Sequence, residues 1–276
     1  MSRMTCKVLL FVCLLCSACA TGDDSKSVNF SLTAKQNYEK GLAELKDENY
    51  AEALRFFNYV KQKFPFSKYA PLAELAIADT QFEREAYQEA IDSYKSFIRL
   101  RPKHEKVSDG YASFRVAECY VKEMPDDFFI MPPSYEKDQS AVYDALRELS
   151  NVLERYPESK YAKDAREYRR KVLHRLIDHE VFVARFYLDQ GHPKGAVLRI
   201  SEALRRYPDS GRDAELLLTL GETQLEMGKP ASAKQTFLRI TADIASAVEI
   251  RRAELFLAHI QKRYGADPKD PTPTQG

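Results

Sequence analysis

The amino-acid sequence predicts an all-α protein built from repeated pairs of antiparallel helices. The first reason is composition, because the 276 residues include only 10 Gly and no Trp, with 44% apolar and 30% charged residues. Such a composition favours helix in a folded protein. The second reason is that no alternating run rich in Val, Ile and Thr indicates a strand. The third is a short pattern that recurs through the body of the chain.

The recurring pattern has three parts at fixed spacing. A small residue is followed twelve positions later by an alanine, and a bulky side chain comes four positions after that alanine. The four copies are Gly41, Ala53 and Phe57; Ala78, Ala90 and Tyr94; Ala184, Ala196 and Ile200; and Gly221, Ala233 and Phe237.

This spacing predicts a helical hairpin. We expect the small residue and the alanine to face each other where two helices cross, with the bulky side chain filling the groove one turn later. Proline then ends the second helix, at Pro65, Pro102 and Pro208, because it cannot donate into a continuing helical ladder. Ala53 and Ala90 lie 37 residues apart, close to the period of about 34 that is typical of tetratricopeptide (TPR) repeats. The sequence therefore predicts a tetratricopeptide-type α-solenoid of about five helix-turn-helix repeats with a C-terminal capping helix.

The middle repeat departs from this spacing. Its first helix is predicted at about 110–123, an insertion follows at 124–138, and its second helix carries Ala145. A long helix from about Lys160 to Leu176 is expected before the fourth repeat. The predicted divisions are a leader at 1–18, a tether at 19–32, a solenoid at 33–264 with repeats at about 33–66, 70–103, 110–158, 177–209 and 214–244 and a cap at 246–263, and a disordered tail at 265–276.

The N-terminus has the form of a secretory signal. Arg3 and Lys7 precede an apolar run from Val8 to Leu15, and small residues then lead to Cys19. The run is much shorter than the roughly 20 apolar residues of a membrane-spanning helix. The residues before and including Cys19 resemble a bacterial lipobox, which predicts lipidation of Cys19. Cleavage at the same place without acylation is the alternative.

Cysteine usage points away from metal or disulfide chemistry. Four of the five cysteines lie in or directly after the leader, where a disulfide or metal framework is not expected. Cys119 stands alone in the body of the chain and is expected to be a small buried apolar residue.

Charge and motif content argue against nucleic-acid binding and against catalysis. The formal net charge is +1 and no basic stripe is present. The chain has no glycine-rich phosphate loop and no His-Glu-x-x-His spacing. His174 and Asp178 can share a helical face, where they are either metal ligands or part of a solvated turn between helices. We expect a non-enzymatic protein without a metal or cofactor, apart from the covalent lipid on Cys19.

Binding is the function that the predicted fold favours. The first helix of each repeat lines the inner groove of a solenoid, which places Tyr38, Leu42, Leu75, Asp79 and Phe82 as candidates for holding an extended apolar segment. Each of them is alternatively a packing residue. The insertion, with its apolar run at 128–135, is either a buried flap or a contact with a partner or a membrane surface.

Several stretches together resemble one family. An aromatic-Pro-x-Ser signature occurs at Phe64–Ser67, Tyr156–Ser159 and Tyr207–Ser210, and further similar stretches are Lys137–Ser140 and Glu180–Tyr187. With the lipobox, these are similar to the outer-membrane protein assembly lipoprotein BamD family. The similarity extends from Cys19 to about Tyr264.

The resemblance implies a location and partners. Members lie on the periplasmic face of the outer membrane, bind the periplasmic domains of the barrel-assembly protein BamA together with other assembly-machine lipoproteins, and receive unfolded β-barrel clients. Arg199 falls where members place an arginine implicated in coupling to BamA, and Arg205 is a further candidate for pairing with acidic groups of the partner. The alternative function is a periplasmic TPR lipoprotein that scaffolds another envelope complex, for cell division or for polysaccharide and peptidoglycan. A peptidoglycan-active enzyme is a third hypothesis.

Overall fold

The computed structural model describes residues 29–125, 132–208 and 210–271, and these contain helices and no strands. The leader and Cys19 lie outside the described residues. The twelve α-helices of the described ranges are α1 (Ala34–Lys46), α2 (Tyr50–Lys63), α3 (Tyr69–Glu83), α4 (Tyr87–Leu100), α5 (Glu105–Ser108), α6 (Tyr111–Glu123), α7 (Ser140–Arg155), α8 (Ala162–Asp189), α9 (Pro193–Arg206), α10 (Asp213–Glu226), α11 (Pro230–Leu238) and α12 (Ala247–Tyr264). The prediction of an all-α, TPR-type helical-repeat fold is confirmed.

The chain divides into two compact units, and the boundary lies between Ala73 and Glu74 within α3. The N-terminal unit contains the α1–α2 pair. The C-terminal unit contains the helix pairs α6–α7, α9 with the second half of α8, and α10–α11, and α12 is its last described helix.

The repeat signature lies in the buried contacts between paired helices, but the glycines face the bulky side chain and not the alanine that was expected. The small residues and central alanines of all four copies are buried. A Cβ atom added to Gly41 would lie 2.6 Å from Cε1 of Phe57, and one added to Gly221 would lie 2.5 Å from Cε1 of Phe237. Because real Cβ atoms do not approach another carbon so closely, only glycine allows the phenylalanine ring to lie against the backbone of the partner helix.

The aromatic-Pro-x-Ser signature ends one helix and begins the next. The residue before a proline disfavours the helical conformation, and α2, α7 and α9 each end one residue before the aromatic position. The serine hydroxyl then accepts a hydrogen bond from the backbone N–H two residues later, at 3.2 Å for Ser67, 3.3 Å for Ser159 and 3.2 Å for Ser210. This local turn satisfies a backbone donor at the start of the following helical segment.

The structure corrects the prediction for residues 160–189. A long helix ending near Leu176 and a turn at 174–180 were expected, but α8 is continuous over 28 residues and supplies the first helix of the fourth pair. No Gly or Pro occurs from 162 to 189 to interrupt it. Apolar side chains such as Leu176 and Val181 are buried along its length, so packing supports one uninterrupted helix.

The structure also differs from the prediction of a disordered tail from residue 265. Asp270 accepts hydrogen bonds from the backbone N–H groups of Ala231 at 2.8 Å and Ser232 at 3.2 Å, and from the Ser232 hydroxyl. Pro268 is buried, and the Lys234 ammonium donates to the Ala266 carbonyl at 2.6 Å. Residues 265–271 therefore fold back along α11 and cap its N-terminus.

Candidate functional site

The two groove candidates of the N-terminal unit lie in different environments. Tyr38 is partly buried, with its ring 5.8 Å from the ring of Phe57 and 5.7 Å from that of Tyr69. Leu42, one turn further along α1, has 40% of its side chain exposed. Leu42 is thus accessible to a ligand, whereas Tyr38 is accessible only in part.

In the C-terminal unit, Leu75 and Phe82 are not groove residues. Both are buried, at 7% and 8% exposure, in a cluster with Ile91, Tyr94 and Phe97 of α4. The prediction that these two residues line an open groove is wrong because α3 is buried along most of its circumference, so positions that face a groove in an exposed helix are packed here.

Asp79 is the acceptor of a tyrosine-carboxylate cluster. Its Oδ1 atom accepts hydrogen bonds from the hydroxyls of Tyr94 at 2.5 Å and Tyr111 at 2.7 Å. Burial raises the pKa of Asp79 above its ordinary value, and the two hydroxyl donors oppose that shift. Burial also raises the pKa of Tyr94. The cluster joins α3, α4 and α6, so Asp79 connects helices and is only partly accessible.

Arg115 of α6 adds a cation to this cluster. Its guanidinium lies 3.5 Å from the ring centroid of Phe82 and donates to the Tyr94 hydroxyl at 3.2 Å, to Glu118 at 3.0 Å and to Glu83 at 3.1 Å. Stacking on an aromatic face together with several directed hydrogen bonds is the geometry that arginine favours. These contacts hold the Arg115 guanidinium in place beside Asp79, and its charge is paired with the carboxylates of Glu83 and Glu118.

The predicted partner-binding Arg199 is paired with a buried carboxylate. Its Nη1 atom lies 3.3 Å from Oε2 of Glu180, whose side chain is 3% exposed, whereas the Arg199 side chain is 43% exposed. Arg199 therefore presents a charged face to solvent and also neutralises Glu180. A buried carboxylate that loses its partner is costly.

Arg205 lies further along α9 and pairs with a carboxylate of the same helix. It donates to Glu202 from Nε at 3.0 Å and from Nη2 at 2.5 Å, and Arg206 donates to the same carboxylate at 2.6 Å. The hydrogen bond from Arg205, with that from Arg206, lowers the pKa of Glu202 to about 2. The two arginines share one carboxylate, which leaves an excess positive charge on this exposed part of α9.

His174 and Asp178 lie within the continuous helix α8, so the solvated turn that was expected there is wrong. His174 Nε2 lies 3.0 Å from the carbonyl oxygen of Ser210, and Asp178 accepts from Arg212, which also donates to Glu215 at 2.8 Å. Among the residues that the structure describes, no group of three or more His, Cys, Asp or Glu is placed to hold a metal ion. This cluster connects α8 to the start of α10.

The ends of the insertion are attached to α8. Arg175 donates to the Pro125 carbonyl at 2.8 Å, His179 Nδ1 lies 2.7 Å from the Tyr135 carbonyl, and the rings of Tyr135 and Phe182 are 5.7 Å apart. The first half of the apolar run at 128–135 lies outside the described residues, which resume at Pro132.

Comparison with known proteins gives the family. The family model described as "Outer membrane lipoprotein", YfiO, matches residues 31–238, which is most of the chain. The chain belongs to this family, the BamD family. No helix in the part of the chain that the structure describes combines the length and apolar character needed to cross a membrane.

Two relatives of this BamD-family chain are both named outer membrane protein assembly factor BamD. The one from Caulobacter vibrioides is 30% identical over 198 residues, which cover 72% of this chain and 62% of the relative. The one from Neisseria meningitidis serogroup A is 25% identical over 240 residues, which cover 83% of this chain and 88% of the relative. The chain thus spans less than two thirds of the first relative and most of the second.

Similar solved structures are TPR proteins. A thermophilic TPR protein from Thermus thermophilus has 18% sequence identity and a TM-score of 0.36, with 82% of this chain and all of that chain covered. The TPR2AB domain of yeast Sti1, in complex with pHSP90, has 13% identity and a TM-score of 0.44, with 83% of each chain covered.

Sequence reasoning on this BamD-family chain missed Tyr111, Arg115 and Glu180 as contributors to the candidate surfaces. One signal was available for the cluster around Asp79. Tyr94 occupies the bulky core position of its repeat, and a buried tyrosine hydroxyl needs a hydrogen-bond partner, which an Asp on the facing helix can supply. No comparable signal linked Glu180 to Arg199.

Proposed function

We propose that this chain is a non-enzymatic scaffold subunit of the outer-membrane β-barrel assembly machinery. It would bind BamA and other lipoproteins of the machine, and unfolded outer-membrane protein clients. The observation that carries the proposal is the match to the outer membrane lipoprotein family over residues 31–238, with relatives named outer membrane protein assembly factor BamD. Acylated Cys19 would attach it to the periplasmic face of the outer membrane.

The proposed partner surface is centred on Arg199 and Arg205 of α9. Both side chains are substantially exposed, at 43% and 70%, so their remaining donors can reach acidic groups of a folded partner. The nearby side chain of Leu198 is 69% exposed, which supplies apolar area next to the charges. A surface of this kind suits a folded protein domain more than a small ligand.

A double variant separates the binding role of Arg199 from its pairing with Glu180. Arg199→Gln removes the cation but leaves a buried carboxylate unpaired, which typically costs about 3–5 kcal/mol in a fully buried pair and less where the cation is half exposed. Glu180→Gln combined with Arg199→Gln removes both charges at nearly constant volume.

The measurement is co-purification of BamA from detergent-solubilised envelopes. If the guanidinium contacts BamA, the single and the double variants both lose BamA. If the double variant recovers full co-purification, Arg199 acts only by neutralising Glu180 and the proposed contact is wrong. Failure of the unmodified chain to co-purify BamA would favour another envelope complex as its partner.

The proposed client surface begins at Leu42 of α1. Leu42 is exposed beside the ring of Tyr38, and apolar side chains at this spacing suit an extended apolar segment. A photoreactive amino acid at position 42 should cross-link to an unfolded β-barrel peptide. Leu100, which is 58% exposed at the end of α4, is the control position. Equal cross-linking at both positions would contradict a specific client surface.

The proposed anchor is tested by Cys19→Ala. Several acyl chains on Cys19 would attach the protein firmly to the membrane. Cys19→Ala removes them, so this variant should appear in the soluble periplasmic fraction. Ala20 follows Cys19 in place of the Asp that retains many such lipoproteins at the inner membrane, and we therefore expect the unmodified chain in the outer-membrane fraction. Recovery of the mature chain in the inner-membrane fraction would contradict this location.

A further inference from the structure

The first described residues of the N-terminal unit are fixed to α1 and α2. The ring of Phe30 stacks on that of Tyr59 with centroids 4.1 Å apart and lies 5.6 Å from the ring of Phe56. Asn37, which is fully buried, exchanges hydrogen bonds of 2.8 Å with the backbone N–H and carbonyl of Ser31. The point at which the N-terminal segment meets the folded unit is therefore rigidly defined, although residues 29–32 were predicted to be tether.

This entry point lies beside the turn that follows α2. The Tyr59 ring that stacks on Phe30 is also 5.9 Å from the ring of Phe64, the first residue after α2. Two residues beyond Phe64, the side chain of Phe66 is fully exposed, and two residues beyond Phe30, Leu32 is 94% exposed. Two large apolar side chains, each two residues along the chain from a member of this aromatic cluster, are thus exposed to solvent.

The segment of sequence that contains this turn carries charges of a single sign. Residues 53–73 contain four basic residues and no Asp or Glu, whereas the acidic residues of the described N-terminal unit lie earlier, between positions 39 and 52. Lys61, Lys63 and Lys68 are exposed at the end of α2 and in the turn. We call the surface formed by Leu32, Lys61, Lys63, Phe66 and Lys68 the basic-aromatic face.

We propose that the basic-aromatic face rests on the anionic lipid surface of the membrane to which the chain is anchored. Aromatic side chains are favoured at the membrane-water interface, and lysines are attracted to anionic headgroups. The combination of lipidation with a basic patch is a common way to stabilise attachment. The inference rests on the lipid anchor of the proposed function.

The length of the N-terminal segment is compatible with this contact. Ten residue steps separate Cys19 from Asn29, and a chain of that length spans at most about 35 Å. The Asn29 carbonyl accepts a hydrogen bond of 3.0 Å from the ammonium of Lys40, so the entry point itself is held against α1. An anchor at Cys19 would therefore keep Asn29 within about 35 Å of the membrane, so the folded unit that begins there can reach the lipid surface.

The chain has no Trp, which makes tryptophan fluorescence a site-specific test. Phe66→Trp introduces a single reporter at a fully exposed position, where the substitution does not disturb packing. The mature acylated chain would be reconstituted into phosphatidylethanolamine vesicles that contain phosphatidylglycerol and brominated acyl chains. Phe186→Trp is the matched control, because Phe186 is a 55% exposed aromatic residue in the C-terminal unit.

We expect a blue shift and a loss of fluorescence by bromine quenching for Phe66→Trp that is clearly greater than for Phe186→Trp. Lys61→Gln, Lys63→Gln and Lys68→Gln together should reduce that quenching, because each lysine near an anionic surface raises the local binding constant by about fivefold. Three exposed lysines of the C-terminal unit, changed to Gln at 163, 194 and 262, are the control. Replacement of phosphatidylglycerol by phosphatidylcholine, or raised salt, should also weaken the quenching.

Mass spectrometry of the N-terminal peptide separates this inference from the proposed anchor. An unmodified Cys19 would show that the anchor has failed. A lipid-modified chain in which Phe66→Trp is quenched no more than Phe186→Trp would overturn the basic-aromatic face alone. A quenching that is insensitive to the lysine substitutions and to lipid charge would overturn the electrostatic part and with it the proposed anionic surface.

Discussion

The contact between Gly221 of α10 and Phe237 of α11 gives a prediction whose sign depends on the packing. In an isolated helix, Gly→Ala stabilises by about 1 kcal/mol because alanine restricts the unfolded chain and favours helix. Here the added Cβ would lie 2.5 Å from both Cε1 and Cζ of Phe237. That ring is 1% exposed and stacked on Phe256, with centroids 4.9 Å apart and planes within 2°. The ring cannot retreat without disturbing Phe256.

Overpacking of this kind costs about 1–3 kcal/mol. Most of that range exceeds the gain of about 1 kcal/mol from helix propensity. Gly221→Ala should therefore lower the free energy of unfolding by up to about 2 kcal/mol. In a Phe237→Leu background the ring atoms Cε1 and Cζ are gone, so Gly221→Ala should become neutral or stabilising. The predicted reversal corresponds to a coupling free energy of about 1–3 kcal/mol.

Urea denaturation followed by circular dichroism at 222 nm, on the four chains of this double-mutant cycle, measures the coupling. Hydrogen exchange of the amides of α10 and α11 checks that the loss is local, since each repeat interacts mainly with its neighbours. Additivity of the two substitutions to within about 0.5 kcal/mol would refute the assigned contact.

Three further substitutions test other parts of the packing. Ala196→Phe places a large ring at a fully buried crossing, so it should lower stability by at least about 1–3 kcal/mol, and an unchanged melting curve would contradict the crossing. Asp79→Ala should cost about 1–3 kcal/mol because it leaves the hydroxyls of Tyr94 and Tyr111 without an acceptor, whereas Asp79→Asn should retain stability. Because the pKa of Asp79 is raised on folding, its protonated form contributes stability that is present below pH about 3.8 and lost as the pH rises through the folded-state pKa. The free energy of unfolding should therefore depend on pH more steeply in the wild type than in Asp79→Asn over this range. The same pH dependence in both chains would contradict the shift. Asp270→Ala should cost about 0.5–2 kcal/mol and speed hydrogen exchange at the start of α11, as loss of a helix cap does, and unchanged exchange there would show that the cap contributes nothing.

Features that depend on neighbours in sequence were predictable. The repeat pattern identified Gly41, Ala53, Gly221 and Ala233 as buried positions of the helix pairs, because close approach of two helices requires small residues at a spacing fixed by the helical hairpin. The serine of each aromatic-Pro-x-Ser turn bonds to a backbone amide two residues away. Local geometry of this kind is determined by residue type and spacing, so a pattern suffices to find it.

The surfaces were only partly predictable. The sequence placed both Leu42 and Phe82 on the groove side of the first helix of a repeat, yet Leu42 is exposed and Phe82 is buried. The difference arises because exposure depends on which other helices pack around a position. The repeat pattern determines only the face of the helix, and it carries no information about what covers that face.

The sequence by itself determined the fold class, the helix pairs and the central residues of each crossing, because these follow from periodicity and from the conformational limits of Gly, Pro and Ser. Only the tertiary structure decided that Arg199 neutralises Glu180 and that Asp270 caps a helix that begins about 40 residues earlier in the chain. It also decided that α8 continues through the region where a turn was expected. These features depend on side chains that are distant in sequence and are brought together by packing, and the free energy of such contacts is set by burial, which no local pattern specifies.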